Sequence, residues 1–160
     1  MLNKFTSQFT EQPLANAVKI GKRYYQVSPE LDAVRKQIDK SLNREAQHVG
    51  IFLGEDKGNK FVPSLPLLDL LGQATHKWIM VDDNAEWLFI CGRDVFSKSV
   101  VKANVNKGLV LVVSKKQEVL GYGKIEGKLE EGDKIFLKNF LDKGDFLRRD
   151  MGNKGRKNNS

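Results

Sequence analysis

The stretch Leu109-Val110-Leu111-Val112-Val113-Ser114-Lys115-Lys116-Gln117-Glu118-Val119-Leu120-Gly121-Tyr122-Gly123-Lys124 sets the class of fold. Two apolar runs of strand length flank four polar residues. β-Branched residues and a tyrosine fit a pleated surface, so the segment reads as a hairpin over residues 109–114 and 119–124. Gly121 and Gly123 inside the second strand suggest a bulge or a close approach by another backbone. Working outward, residues 85–91 form an apolar run closed by Gly92 and read as a strand. Residues 94–101 read as one or two helical turns, with Val95, Phe96, Val100 and Val101 as the apolar side. Residues 134–137 read as a further strand and 142–150 as a short closing helix. Short strands with few helices point to a small barrel or sandwich.

The first half is patterned differently. Phe5 and Phe9 lie one helical turn apart. Residues 17–20 and 24–27 read as strands joined by a tight turn at Gly21-Lys22, where glycine tolerates positive φ. Ser28-Pro29-Glu30 opens a helix: a capping hydroxyl, a proline at the first position and an acid at the positive end of the dipole. Leu31, Val34, Ile38 and Leu42 keep helical spacing on one face. Residues 49–53 and 60–62 read as strands around a polar turn. Residues 65–74, rich in leucine and preceded by Ser64, read as a short buried helix. Residues 77–81 form another strand, and Asp82-Asp83-Asn84 is polar and turn-prone. The fold class expected is α+β, with an N-terminal α/β domain over 1–82, a β-rich domain over 83–150 and a basic tail over 151–160.

Composition narrows the partners. The 160 residues carry a net charge of +7, with 27 Lys and Arg against 20 Asp and Glu. That balance favours an anionic partner, nucleic acid before membrane, because no apolar run approaches the roughly 18 residues a span needs. The opening residues lack an apolar core with a small-residue cleavage site, so no secretory leader is expected. Cys91 is the single cysteine, which excludes an internal disulfide and fits a reducing cytosol or nucleus. The excess charge lies in residues 1–80 and 148–160, and the segment between is neutral.

Signatures of catalysis are missing. There is no phosphate-binding loop and no nucleophile elbow, and Glu126 stands where a dinucleotide fingerprint needs its third glycine. His48 and His76 lack ligand-like neighbours, and Cys91 at the end of an apolar run reads as a buried, inert thiol. No metal or other cofactor is expected, and the chain reads as a binding protein without enzymatic activity. Its candidate RNA contacts are cationic. Arg148, Arg149, Lys154, Arg156 and Lys157 sit among Gly and Asn and can track phosphates, although a solvated terminus has the same composition. Arg93 and Lys98 flank a turn that can grip a phosphate if it is exposed. Lys124, with Lys102 and Lys107, is a weaker version of the same argument. Tyr24-Tyr25 beside Lys22-Arg23 offers a stacking platform, but a strand must turn one of the pair inward.

These residues carry a resemblance. Arg23-Tyr24-Tyr25-Gln26-Val27-Ser28, Gly50-Ile51-Phe52-Leu53-Gly54 with Lys60-Phe61, and Lys77-Trp78-Ile79 resemble the Nip-seven family of ribosome-biogenesis factors. Trp87 through Ser99, and Leu120-Gly121-Tyr122-Gly123 with Gly144-Asp145-Phe146-Leu147-Arg148-Arg149, resemble the opening and close of that family's PUA domain. The match spans roughly residues 17–150. It implies a PUA pseudo-barrel after the α/β domain, and a non-enzymatic role in pre-ribosomal RNA processing and large-subunit assembly. It further implies RNA and other ribosome-assembly proteins as partners, and it sets Arg93, Lys98, Arg148 and Arg149 where such a domain meets RNA. Shortness and a simple tail favour an archaeal, cytoplasmic form over a eukaryotic, nucleolar one. The alternative is a PUA-type accessory subunit or adaptor for an RNA-modification enzyme.

Overall fold

A computed structural model describes residues 1–42, 50–145 and 148. The chain divides into two compact units, Met1–Thr75 and His76–Ser160.

In the first unit, β1 (Ala17–Ile20), β2 (Arg23–Gln26), β3 (Ile51–Lys57) and β4 (Lys60–Pro63) form an antiparallel sheet in sequence order. The β1–β2 turn is the expected one, with Gly21 at φ +56°. Helix α1 (Leu2–Thr6) buries Phe5 against Phe9 and Phe61. Tyr24 and Tyr25 are both buried, which removes the stacking platform. Tyr24 meets Phe61 and Tyr25 meets Phe52, so aromatic rings cover both faces of β2. Helix α3 (Leu65–Ala74) starts where expected: the Ser64 hydroxyl accepts from Leu67 N at 3.3 Å and donates to Phe52 O at 2.6 Å.

Helix α2 (Pro29–Leu42) forms, but its apolar stripe is not core. Leu31, Val34 and Ile38 are between 42% and 50% exposed. The helix is held locally instead. Ser28 Oγ accepts from Leu31 N at 3.2 Å, and Arg35 bridges Asp32 and Asp39 at 2.9 and 2.8 Å. Periodicity fixes which residues share a face, and what covers that face is a separate matter. The Leu42 side chain, Val49 and His48 lie outside the described residues.

The second unit is a six-stranded sheet in the order β6-β10-β9-β8-β5-β7. Its strands are β5 (Trp78–Val81), β6 (Val95–Phe96), β7 (Val100–Ala103), β8 (Gly108–Val113), β9 (Val119–Ile125) and β10 (Ile135–Asp142). The β8–β9 hairpin is the one expected. The approach at its glycines is real: a Cβ on Gly121 would collide with Leu141 O, and one on Gly123 with Lys138 O. β5 pairs in parallel with β8, and all other pairings are antiparallel. Trp78–Val81 therefore belongs to the second sheet, and the division into units falls before it rather than at Asp82. Ile79, Val81, Ala85, Phe89, Val110, Val112, Phe136 and Leu137 fill the core.

Two elements differ in kind from the sequence reading. Of residues 85–91, read as a strand, 85–90 lie in helix α4 (Asp83–Ile90) and Cys91 is its C-cap. Asp82 caps it, its carboxylate accepting from Ala85 N at 2.8 Å, and Asp83 and Glu86 complement the dipole of the first turn. Ala85 and Phe89 face the core one turn apart, but Trp87-Leu88-Phe89-Ile90 is a continuous apolar run whose period alone fits either structure. Residues 94–101, read as helical turns, are β6, a 3-10 turn over Ser97–Ser99 and the start of β7. Branched Val95, Val100 and Val101 favour extended backbone, and the Asp94 carboxylate is committed to β10. β10 runs to Asp142, so the closing helix begins later. Asp145 and Arg148 are helical, and the rest of that element lies outside the described residues. Among the described residues no helix is long and apolar enough to cross a membrane.

Candidate nucleic-acid interface

The second unit gathers several candidate binding groups where α4 ends. Gly92, at φ +87°, reverses the chain, and the amides of Gly92 and Arg93 donate to Phe89 O and Leu88 O at 2.9 and 3.0 Å. Cys91, Gly92 and Arg93 are exposed. The thiol expected to be buried stands at the helix C-cap, because the apolar run beneath it is a helix with one inward stripe.

β10 holds this turn in place. Asn139 N donates to Asp94 Oδ1 at 2.8 Å. Asn139 Nδ2 donates to Phe89 O at 2.9 Å and lies 3.3 Å from Arg93 O and 3.2 Å from Asp142 Oδ2. The Asp142 side chain is only 3% exposed. It accepts from Gly144 N at 2.9 Å and from Arg148 Nη2 at 3.0 and 2.8 Å. Arg148 Nη1 donates to Ile90 O, the last carbonyl of α4. The carboxylate raises the guanidinium pKa, so this cation stays charged throughout.

Two of the expected cations therefore meet. A Cβ on Gly92 would lie 3.2 Å from Arg148 Nη2, which places Arg148 beside the Arg93 turn. The guanidinium is spent, however, on a buried carboxylate and a helix carbonyl. Arg148 is the latch that ties the closing segment to α4 and β10, and Arg93 is the cation left facing outward. Lys98 lies elsewhere. Its amide donates to Gly132 O and its ammonium pairs with exposed Asp133, near the Phe96–Ile135 end of β10. Lys124 lies near the end of β9, opposite Lys138. Arg149, Lys154, Arg156 and Lys157 lie outside the described residues.

One exposed group was missed in the sequence. Trp87 is 67% exposed, one helical turn before Cys91. Read as part of a strand, the residue carried no signal. Read with Ala85 and Phe89 inward on a helix, it points to solvent. A cation, an indole and a helix C-cap turn on one rigid corner suit a phosphate and a base.

Comparison with known proteins bears on this unit. The chain is 32% identical over 108 residues to a UPF0113 protein of Archaeoglobus fulgidus, a match covering 63% of this chain and 62% of the relative's length. A conserved PUA domain protein from Thermoplasma acidophilum superposes with a TM-score of 0.53 at 19% identity, covering 76% of this chain and 93% of that one. A hypothetical protein from Pyrococcus horikoshii gives a TM-score of 0.47 at 18% identity, over 57% and 62% of the two chains. The second unit thus has the PUA fold, generally a non-catalytic RNA-binding module, and residues 77–151 match the family described as the UPF0113 PUA domain.

Proposed function

We propose that this chain is a non-enzymatic RNA-binding factor of ribosome biogenesis, acting in pre-rRNA processing and large-subunit assembly. RNA is held at the corner of the PUA domain by Arg93 and Trp87, and the sequence offers Arg149, Lys154, Arg156 and Lys157 as further phosphate contacts. The observation that carries this reading is the convergence of the Arg93 turn and Arg148 from opposite ends of the domain onto one exposed corner. The ribosomal part rests on the five sequence stretches shared with the Nip-seven family, whose members also supply the expectation of ribosome-assembly proteins as partners and of a cytoplasmic setting in archaea. Lys98 and Lys124 add positive potential without belonging to the corner.

Fluorescence anisotropy on a labelled single-stranded RNA tests the binding. Arg93→Ala with Arg149→Ala is expected to weaken it about tenfold or more, since each charge-assisted contact contributes roughly 1–3 kcal/mol. The slope of log affinity against log salt should fall by about 1.4 for two lost phosphate contacts. Arg148 is left intact because its loss perturbs the fold. Unchanged affinity and slope would remove the corner. Co-purification with one modification enzyme and no ribosomal particle would overturn the ribosomal part.

A further inference from the structure

The corner continues along β10 onto a second surface. Lys138 and Lys124 are directly opposite in the β9–β10 ladder, so their side chains share a face. Like charges facing each other across strands destabilise a sheet unless an anion lies between them. Lys124 Nζ is 3.9 Å from Glu126 Oε1, a loose contact, and Lys138 has no ion pair among the described residues. Tyr122 lies two residues from Lys124 on the same face. The ladder slips between Asn139 and Leu141, so Phe140 and Leu141 together oppose Tyr122. Phe140 is the extra residue of this bulge. Its ring meets Tyr122 edge to face at 5.9 Å and is 48% exposed. Beyond Leu137, β6 no longer pairs with β10, so this part of the strand is an edge.

Two facing ammonium groups, one of them only loosely paired with Glu126, beside a half-exposed ring supported by a second ring match the chemistry of a nucleotide: anionic backbone and flat base. The strip also leads to the corner. Asn139, next to Lys138, holds the Arg93 turn, and Asp142, two residues past Phe140, holds Arg148. Lys138 to Asp142 spans about 13 Å of strand.

We propose that the outer face of β9–β10 is a single-stranded RNA subsite, with a base stacked on Phe140 and the backbone lying across Lys124 and Lys138. The proposal rests on the RNA-binding reading above and adds where an unpaired segment of that RNA lies, because a base in a duplex cannot offer its face to Phe140.

The test uses the full chain with a ten-nucleotide oligouridine carrying one 2-aminopurine, and a blunt RNA duplex of equal length. Phe140→Leu is expected to weaken single-strand binding roughly 5- to 100-fold and to abolish 2-aminopurine quenching, with duplex binding unchanged. Phe140→Trp should retain both affinity and quenching. Lys124→Gln with Lys138→Gln should lower the salt slope by about 1.4. Wild-type affinity in Phe140→Leu and in the lysine pair, with Arg93→Ala still weakened, overturns the subsite and leaves the corner standing. No RNA binding by the wild type overturns both. A loss in Phe140→Leu that Phe140→Trp does not restore, or self-association of the lysine variant at unchanged RNA affinity, assigns the strip to edge protection and overturns the subsite.

Discussion

Replacing Asp142 separates the roles of Arg148. In Asp142→Ala, three donors lose an acceptor. Arg148 is 43% exposed and can turn to water, and Asn139 Nδ2 keeps Phe89 O, so neither loss is large. The Gly144 amide is buried and has no such escape, and an orphaned buried amide costs about 1–3 kcal/mol. Arg148→Ala has the opposite consequence. It leaves a carboxylate that is 3% exposed without its cation, and it frees the Ile90 carbonyl. Breaking a buried pair costs roughly 3–5 kcal/mol, and the half-exposed guanidinium trims that to about 2–4 kcal/mol. Urea unfolding followed by tryptophan fluorescence should place Asp142→Ala about 1–3 and Arg148→Ala about 2–4 kcal/mol below wild type, with a coupling of about 1–3 kcal/mol in the double mutant. Arg148→Lys should recover less than half of the loss, since a point charge cannot span Asp142 and Ile90 O. A coupling under about 0.5 kcal/mol, or Arg148→Ala as stable as wild type, would refute the latch. RNA affinity should then fall for Arg148→Ala alone, as for an ordinary phosphate contact.

Other outcomes follow from the same sheet. Burial pushes the Tyr122 phenol up to about 12 from an unfolded value near 10. The unfolded chain releases this proton first, so the associated stability is complete below about pH 10 and is lost as pH rises toward 12. Between pH 8 and pH 11.5, urea unfolding should cost the wild type about 2 kcal/mol more than Tyr122→Phe, and parallel profiles would count against it. Gly121→Ala should be the most damaging single methyl in the second unit, because its Cβ meets Leu141 O on β10. A loss of about 3 kcal/mol or more, or failure to accumulate as folded protein, is expected, and a melting curve like the wild type's would contradict that packing.

Features with a local cause were legible in the sequence. The β8–β9 hairpin, the Ser64 cap and the Gly21 turn each follow from a few neighbouring residues, and each formed as read. The glycine pair in β9 reads as a bulge or a close approach, and β10 supplies the close backbone. Errors arose where tertiary context decides. The run Trp87-Leu88-Phe89-Ile90 fits either period, and the packing of Ala85 and Phe89 into the sheet's core settles it as a helix. With that run misread, Trp87 could not be seen as exposed. Leu31, Val34 and Ile38 were placed on one face correctly, but no sequence pattern says whether a face is covered. Within the site, chain order showed Arg93 and Arg148 as two cations. Only the fold shows that one of them is committed to Asp142, a residue whose acid looked like any other.

The anchors of the Arg93 turn come late in the chain. Asp94 is tied to Asn139, 45 residues on, and Ile90 to Arg148, 58 residues on. The β8–β9 hairpin is local and can close within microseconds, whereas β10 must find β9, β6 and the α4 turn across much longer loops. During synthesis the Gly92–Arg93 turn leaves the ribosome well before the residues that rigidify it. A nascent chain lacking β10 presents Arg93 on a turn without these anchors, so the turn takes its fixed geometry only as the domain closes.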